Sequence, residues 1–215
     1  TIEKIYGNTQ VPLQWQRGDD VDILKIIPEK PLLPNDSYTF SLEYAVKLPD
    51  SKFTRYGVDK NGDYKPKYWY ISPAVYNGEW QVYSNKNTDD LFLTPSEFSV
   101  KLHLPKNYTI VSDLNIIEEN ISQNTKSITL SAEKRTNITV YLEKNSTFET
   151  IETDKLKVIT NLQNSKVNPP VQALMIDRIV HFLDERLGPY PFEKMVISET
   201  DYKTNPVYGL NQLPR

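Results

Sequence analysis

Up to about residue 160 the apolar positions of this 215-residue chain recur with a period of two. In YTFSLEYAV, Tyr38, Phe40, Leu42, Tyr44 and Val46 share one face, and Thr39, Ser41 and Glu43 share the other. FSVKLHL repeats the alternation with Phe98, Val100, Leu102 and Leu104 inside, and ITVYLE with Ile138, Val140 and Leu142. VDILKII, KSITLSA and LKVIT are weaker copies. Successive side chains of a strand point to opposite faces, so these runs predict strands with one buried and one wet face. The turn signals LPND, KNGD, YNGE and LPKN separate them, which predicts antiparallel pairing in a sandwich or curved sheet. Residues 60–90, rich in Tyr, Trp, Asn and Asp, predict long loops around short strands.

At NLQNSKVNPP the period changes. Asn168 suits a helix N-cap, and Pro169 and Pro170 suit the first helical turn. Val171, Leu174, Met175, Ile179, Phe182, Leu183 and Leu187 then fall at helical spacing, flanked by Arg178 and Arg186. Gly188 predicts a left-handed cap, and Pro189 prevents continuation. KMVIS follows as a short apolar run, expected as a strand covered on both faces. The fold expectation is therefore mainly β. Residues 1–160 read as an antiparallel amino-terminal domain. Residues 161–215 read as linker, helix and strand opening a second, α/β domain.

Composition narrows the function. Lys and Arg number 25 against 28 Asp and Glu, a net charge of -3 without a basic stripe. That disfavours nucleic acid or an anionic membrane as the main partner. No apolar run approaches the roughly 18 residues of a membrane span. The opening TIEKIYGNTQ has neither the basic head nor the apolar stretch of a signal peptide. Cysteine is absent, which removes disulfides and thiolate metal ligands and leaves the compartment open. Five sequons, at Asn35, Asn107, Asn120, Asn137 and Asn145, are compatible with an extracytoplasmic or membrane-associated parent. They also follow from a chain rich in Asn, Ser and Thr.

Candidate chemistry is sparse. A catalytic zinc usually takes three protein ligands, and the chain has two histidines, outside any HExxH pair. His103 lies on the polar face of its strand, and His181 on the polar side of the helix, so both read as solvated surface residues. No G-x-S-x-G elbow, phosphate loop or Ser beside a promising His is present. Asp89–Asp90 and Glu118–Glu119 are adjacent and would point to opposite faces of a strand. Trp69, Tyr70, Tyr76, Trp80 and Tyr83 either fill a core beneath loops or form a platform for glycan or peptide; core filling is the favoured reading. The final loop, TNPVYGLNQLP, offers Gly209 and the amides of Asn211 and Gln212, as an ordinary turn or as a partner for a peptide strand.

RLGPYPFEKMVISETDYKTNPVYGLNQLP resembles the stretch just upstream of the zinc motif in the aminopeptidase N / leukotriene A hydrolase family of zinc metallopeptidases. Tyr190-Pro191-Phe192-Glu193-Lys194 matches that family's YPF-x-K turn. Gly209, Leu210, Asn211, Gln212 and Leu213 occupy its G-x-M-E-N loop at the substrate cleft. PLLPNDSYTFSLEYAVKL and FSVKLHLPKNYTIVSDLN extend the likeness thinly over the rest.

The resemblance implies that the chain is the amino-terminal β portion of such an enzyme, walling the cleft, plus the start of a thermolysin-like catalytic domain. It implies that the HExxH helix, the third ligand and the transition-state Tyr lie beyond Arg215. Zinc is then expected in the parent and no cofactor in this chain. The expected partners are the chain's own catalytic domain and a peptide substrate. Gln212 stands where the family's Glu grips the substrate's amino terminus, and a neutral amide lacks the charge-assisted bond of a carboxylate to an ammonium. A catalytically inactive scaffold relative and an aromatic-rich binding module are the alternatives.

Overall fold

Alternating runs become strands here where a second run lies near enough to take up their backbone hydrogen bonds. The computed structural model describes residues 1–20, 22–67, 69–82, 93–162 and 167–204, and it divides into two compact units. One comprises Thr1–Lys47 and Tyr68–Thr94, the other Leu48–Lys67 and Pro95–Arg215.

The first unit begins with β1 (Ile2–Tyr6), β2 (Gln14–Arg17), β3 (Leu24–Ile27) and β4 (Ser41–Tyr44). β1 pairs antiparallel with β4 through a bulge between Ile2 and Lys4, and β2 pairs with β3. The strand foreseen across YTFSLEYAV is thus only four residues long. Leu42 and Tyr44 keep the inward alternation, whereas Phe40 and Val46 flank the strand 39% and 49% exposed.

The second unit opens with α1 (Ser51–Thr54), β5 (Gly57–Val58) and β6 (Tyr64–Lys65). The chain returns to the first unit for β7 (Val75–Tyr76) and β8 (Trp80–Gln81), a hairpin closed at YNGE by Asn77 N–H donating to Glu79 O at 3.0 Å. The remainder belongs to the second unit: β9 (Ser96–Pro105), β10 (Thr109–Ser112), β11 (Asn115–Ile121), β12 (Thr125–Arg135), β13 (Val140–Glu143), β14 (Glu149–Glu152), β15 (Lys157–Thr160), α2 (Pro169–Leu187), β16 (Lys194–Ile197) and α3 (Glu199–Thr204).

Among its described residues that unit contains three sheets, in the orders β11-β12-β9, β10-β13-β6-β5 and β14-β15-β16. β9 pairs with β12 along nearly its whole length, with Leu130 opposite Val100, Ile128 opposite Leu102 and Lys126 opposite Leu104. The alternation of β9 holds as expected: Phe98, Val100, Leu102 and Leu104 are more buried than their neighbours. In β13 Tyr141 and Glu143 are buried as well as Val140, so both of its faces are covered.

The change of period near residue 160 marks a crossover. β15 and β16 are parallel neighbours, with Val158 opposite Met195 and Ile159 opposite Val196, and α2 connects them. A parallel pair requires a crossover connection, most often a helix, since a tight turn reverses direction. α2 starts as foreseen, with Asn168 Oδ1 accepting from Val171 N–H at 3.1 Å. Its end differs from the expected left-handed cap. Gly188 has φ 98° and ψ 165°, an extended conformation with positive φ open chiefly to glycine, and its N–H donates to Asp184 O at 3.0 Å. Ile176 and Val180 of α2 pack on Leu156, Val158, Ile151, Met195 and Ile197 of the sheet.

Candidate functional site

The foreseen loop residues, Gly209, Leu210, Asn211, Gln212 and Leu213, lie outside the described residues, as do Asp89, Asp90 and Tyr83. The last described elements that precede those residues in sequence are β16 and α3.

Ser198 joins β16 to α3 and is 1% exposed. It caps the short helix, its Oγ accepting from Asp201 N–H at 2.9 Å and its carbonyl from Tyr202 N–H at 3.0 Å. The Asp201 carboxylate turns inward and gathers three hydroxyls. Tyr56 donates to Oδ1 at 2.8 Å; Tyr141 and Ser198 reach Oδ2 at 2.5 Å and 2.7 Å. Tyr141 and Ser198 are also 2.8 Å apart, so two hydroxyl protons serve three close approaches. Burial first, and then the bond to Asp201, push the Tyr141 phenol far above its ordinary range. Around this core Lys65 Nζ donates to Thr200 Oγ1 at 3.2 Å, and Lys67 Nζ sits 4.7 Å from the centre of the Tyr56 ring. Burial lowers the pKa of the Lys67 ammonium, against the opposing pull of Asp201. A carboxylate held by three donors is a structural tie. It fixes α3 to β13 and to the segment before β5.

A second tie holds the YPFEK turn. The Arg135 guanidinium, at the end of β12, lies 3.4 Å from the centre of the Phe192 ring. Its Nη2 donates to Asp113 O at 3.2 Å, and its Nη1 is 3.6 Å from Asp113 Oδ2. Asp113 Oδ1 also accepts from Thr139 N–H at 2.7 Å, and Lys194 Nζ donates to Leu114 O. Burial raises the Asp113 carboxyl pKa and lowers that of the Lys194 ammonium. Tyr190 N–H donates to Asp184 Oδ1 at 3.2 Å, and Lys157 N–H to Glu193 O at 2.8 Å. The turn is therefore clamped from the β10–β11 connection, from β12 and from β15.

Other sequence candidates stay apart. His103 is exposed opposite Ser127, and the exposed His181 lies 3.4 Å from Glu185. Among the described residues no three His, Asp or Glu side chains gather as metal ligands would. They do not fit the three-ligand zinc site of a metallopeptidase, and no catalytic step is derived through a metal in this chain. Glu118 and Glu119 are exposed, the first bonded by Asn120 Nδ2 at 2.8 Å, the second 3.7 Å from Lys126 Nζ. All five sequon asparagines are exposed. Trp69 and Tyr70 are half-buried, edge to face. Tyr76 and Trp80, paired across the β7–β8 hairpin with ring centres 5.2 Å apart, are 62% and 65% exposed. Core filling does not describe that pair.

Pattern reading missed Asp201, Tyr56, Tyr141 and Arg135. Ser198-x-x-Asp201 is the spacing of a capping motif and was legible in principle. The hydroxyls that complete the cluster come from 145 and 60 residues away, and no local signal announces them.

No family model and no curated protein matches the sequence. Solved structures do. A mutant M1 zinc metallopeptidase from Deinococcus radiodurans superposes with a TM-score of 0.57 at 15% identity, over 92% of this chain and 46% of its own. A mutant of the enzyme from the same organism bound to a Tyr-Ser-Ala substrate gives 0.56 at 14% identity, with the same coverage. A two-domain M1 zinc metallopeptidase mutant bound to L-arginine gives 0.55 at 15%, again over 92% and 46%. The likeness is one of fold. This chain spans less than half the length of those enzymes.

Proposed function

We propose that this chain is the amino-terminal portion of an M1-type zinc metallopeptidase: the β region to about residue 160, then the helix and strand that open the catalytic domain. The carrying observation is the fold likeness over 92% of the chain to one portion, 46%, of a metallopeptidase. The clamped YPFEK turn supports it, because Phe192 and Lys194 hold the start of β16 against the β region. In this reading Gly209, Leu210, Asn211, Gln212 and Leu213 edge a peptide cleft, and the groups that hold zinc and activate water come from beyond Arg215. Zinc would there polarise the scissile carbonyl and generate the attacking water. This chain contributes walls and positioning. The test compares hydrolysis of a free-amine dipeptide amide by the parent and by residues 1–215 alone. Turnover by the parent and none by the chain is expected, and turnover by the chain alone overturns the division of labour.

A second reading follows from the exposed Tyr76–Trp80 pair, since solvent-facing aromatic rings suit a sugar or peptide platform. Titration of oligosaccharides and peptides against tryptophan fluorescence, with Trp80→Ala as control, tests it. Saturable quenching lost in that variant is its signature.

A further inference from the structure

β11 is the edge of the sheet β11-β12-β9, and among the described residues its strand partner is β12 alone. The N–H and C=O groups along its other side meet no described strand. Proteins usually guard such an edge with lysine, proline or a covering element. β9, the opposite edge, carries Lys101 and ends on Pro105. β11, with the sequence NIIEENI, has neither, and all seven of its residues are exposed. It is interrupted by a bulge between Ile116 and Glu118, after which Glu118, Glu119, Asn120 and Ile121 run in regular register against Thr129, Ile128, Ser127 and Lys126.

The register sorts its side chains onto two faces. Ile116, Glu119 and Ile121 stand opposite Leu130, Ile128 and Lys126, on the face that Leu102 and Leu104 of β9 share. Ile128 and Leu130 are buried there, yet Ile116 and Ile121 are each 58% exposed, so the cover over this face stops short of β11. A cleft of about 460 Å³ extends the apolar row past the end of the strand, with Leu104, Pro105 and Ile121 among its walls. Glu118 and Asn120 lie on the polar face, opposite Thr129 and Ser127. Charge selects the occupant. Glu119 has Lys126 at 3.7 Å, whereas Glu118 meets the Asn120 amide and no described cation. Glu118 is also the midpoint of Asn115–Ile121, so two copies paired antiparallel about that centre would set Glu118 against Glu118. A lysine or arginine opposite Glu118 supplies the missing charge.

We propose that β11 accepts an extended peptide as an added strand, with Lys or Arg opposite Glu118 on the polar face and apolar side chains beside Ile116 and Ile121 on the other. Backbone bonds along the edge supply affinity, and the alternating side chains supply the selection. The site needs no metal and is independent of the metallopeptidase reading. The probe is a short labelled peptide of alternating Val and Lys, added to the 215-residue chain at up to about millimolar concentration. A Val/Glu peptide and a Val/Lys peptide N-methylated throughout are the controls. The Val/Lys peptide should slow amide exchange across residues 115–121 and bind roughly fivefold or more tightly than the Val/Glu peptide. The N-methylated peptide, without backbone donors, should not bind. Glu118→Lys should reverse the preference between the two charged peptides. Glu118→Gln, which keeps an acceptor for Asn120 at this exposed position, should level them. Equal affinity of the wild type for both charged peptides overturns the proposal, as does binding without protection of residues 115–121, or no binding at all. Protection of β11 that appears without peptide and grows with protein concentration overturns it in favour of a second copy.

Discussion

Replacing Tyr141 by Phe removes one oxygen from a buried cluster and leaves its ring, stacked 5.4 Å from Phe148, in place. At neutral pH the loss is a hydrogen bond to a carboxylate, about 1.5–3 kcal/mol in typical cases. The structure argues for the lower part of that range. Asp201 keeps Tyr56 and Ser198 as donors, and the Ser198 proton, previously shared between Tyr141 and Asp201, becomes wholly available. We expect about 1–2 kcal/mol of destabilisation at pH 7. The alkaline limb has the opposite sign. Burial raises the Tyr141 pKa above that of an unfolded tyrosine, so its contribution is fully present below about pH 10 and is lost as pH rises toward the folded value. Across that window the wild type loses up to about 1.4 kcal/mol per pH unit that the Phe variant does not lose. Urea unfolding of both proteins at pH 7 and near pH 11 should therefore show the variant weaker at the first and level with the wild type at the second. A deficit that stays constant across that range would refute the buried, Asp201-bound phenol.

Three further outcomes follow from the same structure. Arg135→Met removes the guanidinium paired with the largely buried Asp113, leaving only the more distant Lys194, and should cost about 3 kcal/mol at pH 7 by denaturant unfolding; because the Asp113 carboxyl is already raised, its ionised form opposes folding, and part of the deficit should return as pH falls through its folded value. Val180→Ala, at the helix–sheet contact, should cost about 2 kcal/mol, while Ile179→Ser on the exposed face should stay within about 0.5 kcal/mol of the wild type; a larger loss from Ile179→Ser than from Val180→Ala would mean that the helix is seated the other way round. In an active parent, Gln212→Glu should raise kcat/KM for a free-amine peptide over its acetylated form by roughly ten- to a hundredfold, and an unmoved ratio would remove Gln212 from the substrate's amino terminus.

The β class was legible because it rests on local alternation. Phe98, Val100, Leu102 and Leu104 carry a period of two whether or not their partner strand is known, and Asn168 with Pro169 announces a helix from side-chain chemistry alone. Alternation does not fix strand length, which the pairing partner sets: β4 ends at Tyr44 opposite Ile2, and Val46 lies past it. Helical spacing likewise revealed the stripe on α2 but not which line meets the sheet. That choice went to Ile176 and Val180, beside the two aspartates that Asp154 and Lys155 hold. The two ties that seat the carboxy-terminal segment were hidden for the same reason. Tyr56, Tyr141 and Arg135 meet Asp201 and Phe192 only after the chain has folded, and each looks like an unremarked strand or turn residue in sequence.

Metal content tests the central claim most directly. Residues 1–215 and the longer parent polypeptide that the proposed function calls for are each dialysed against zinc, washed through a weak chelator and analysed for bound metal per chain. The account predicts one tightly held zinc in the parent and none retained by residues 1–215. A parent without zinc, or stoichiometric zinc on residues 1–215, would contradict it.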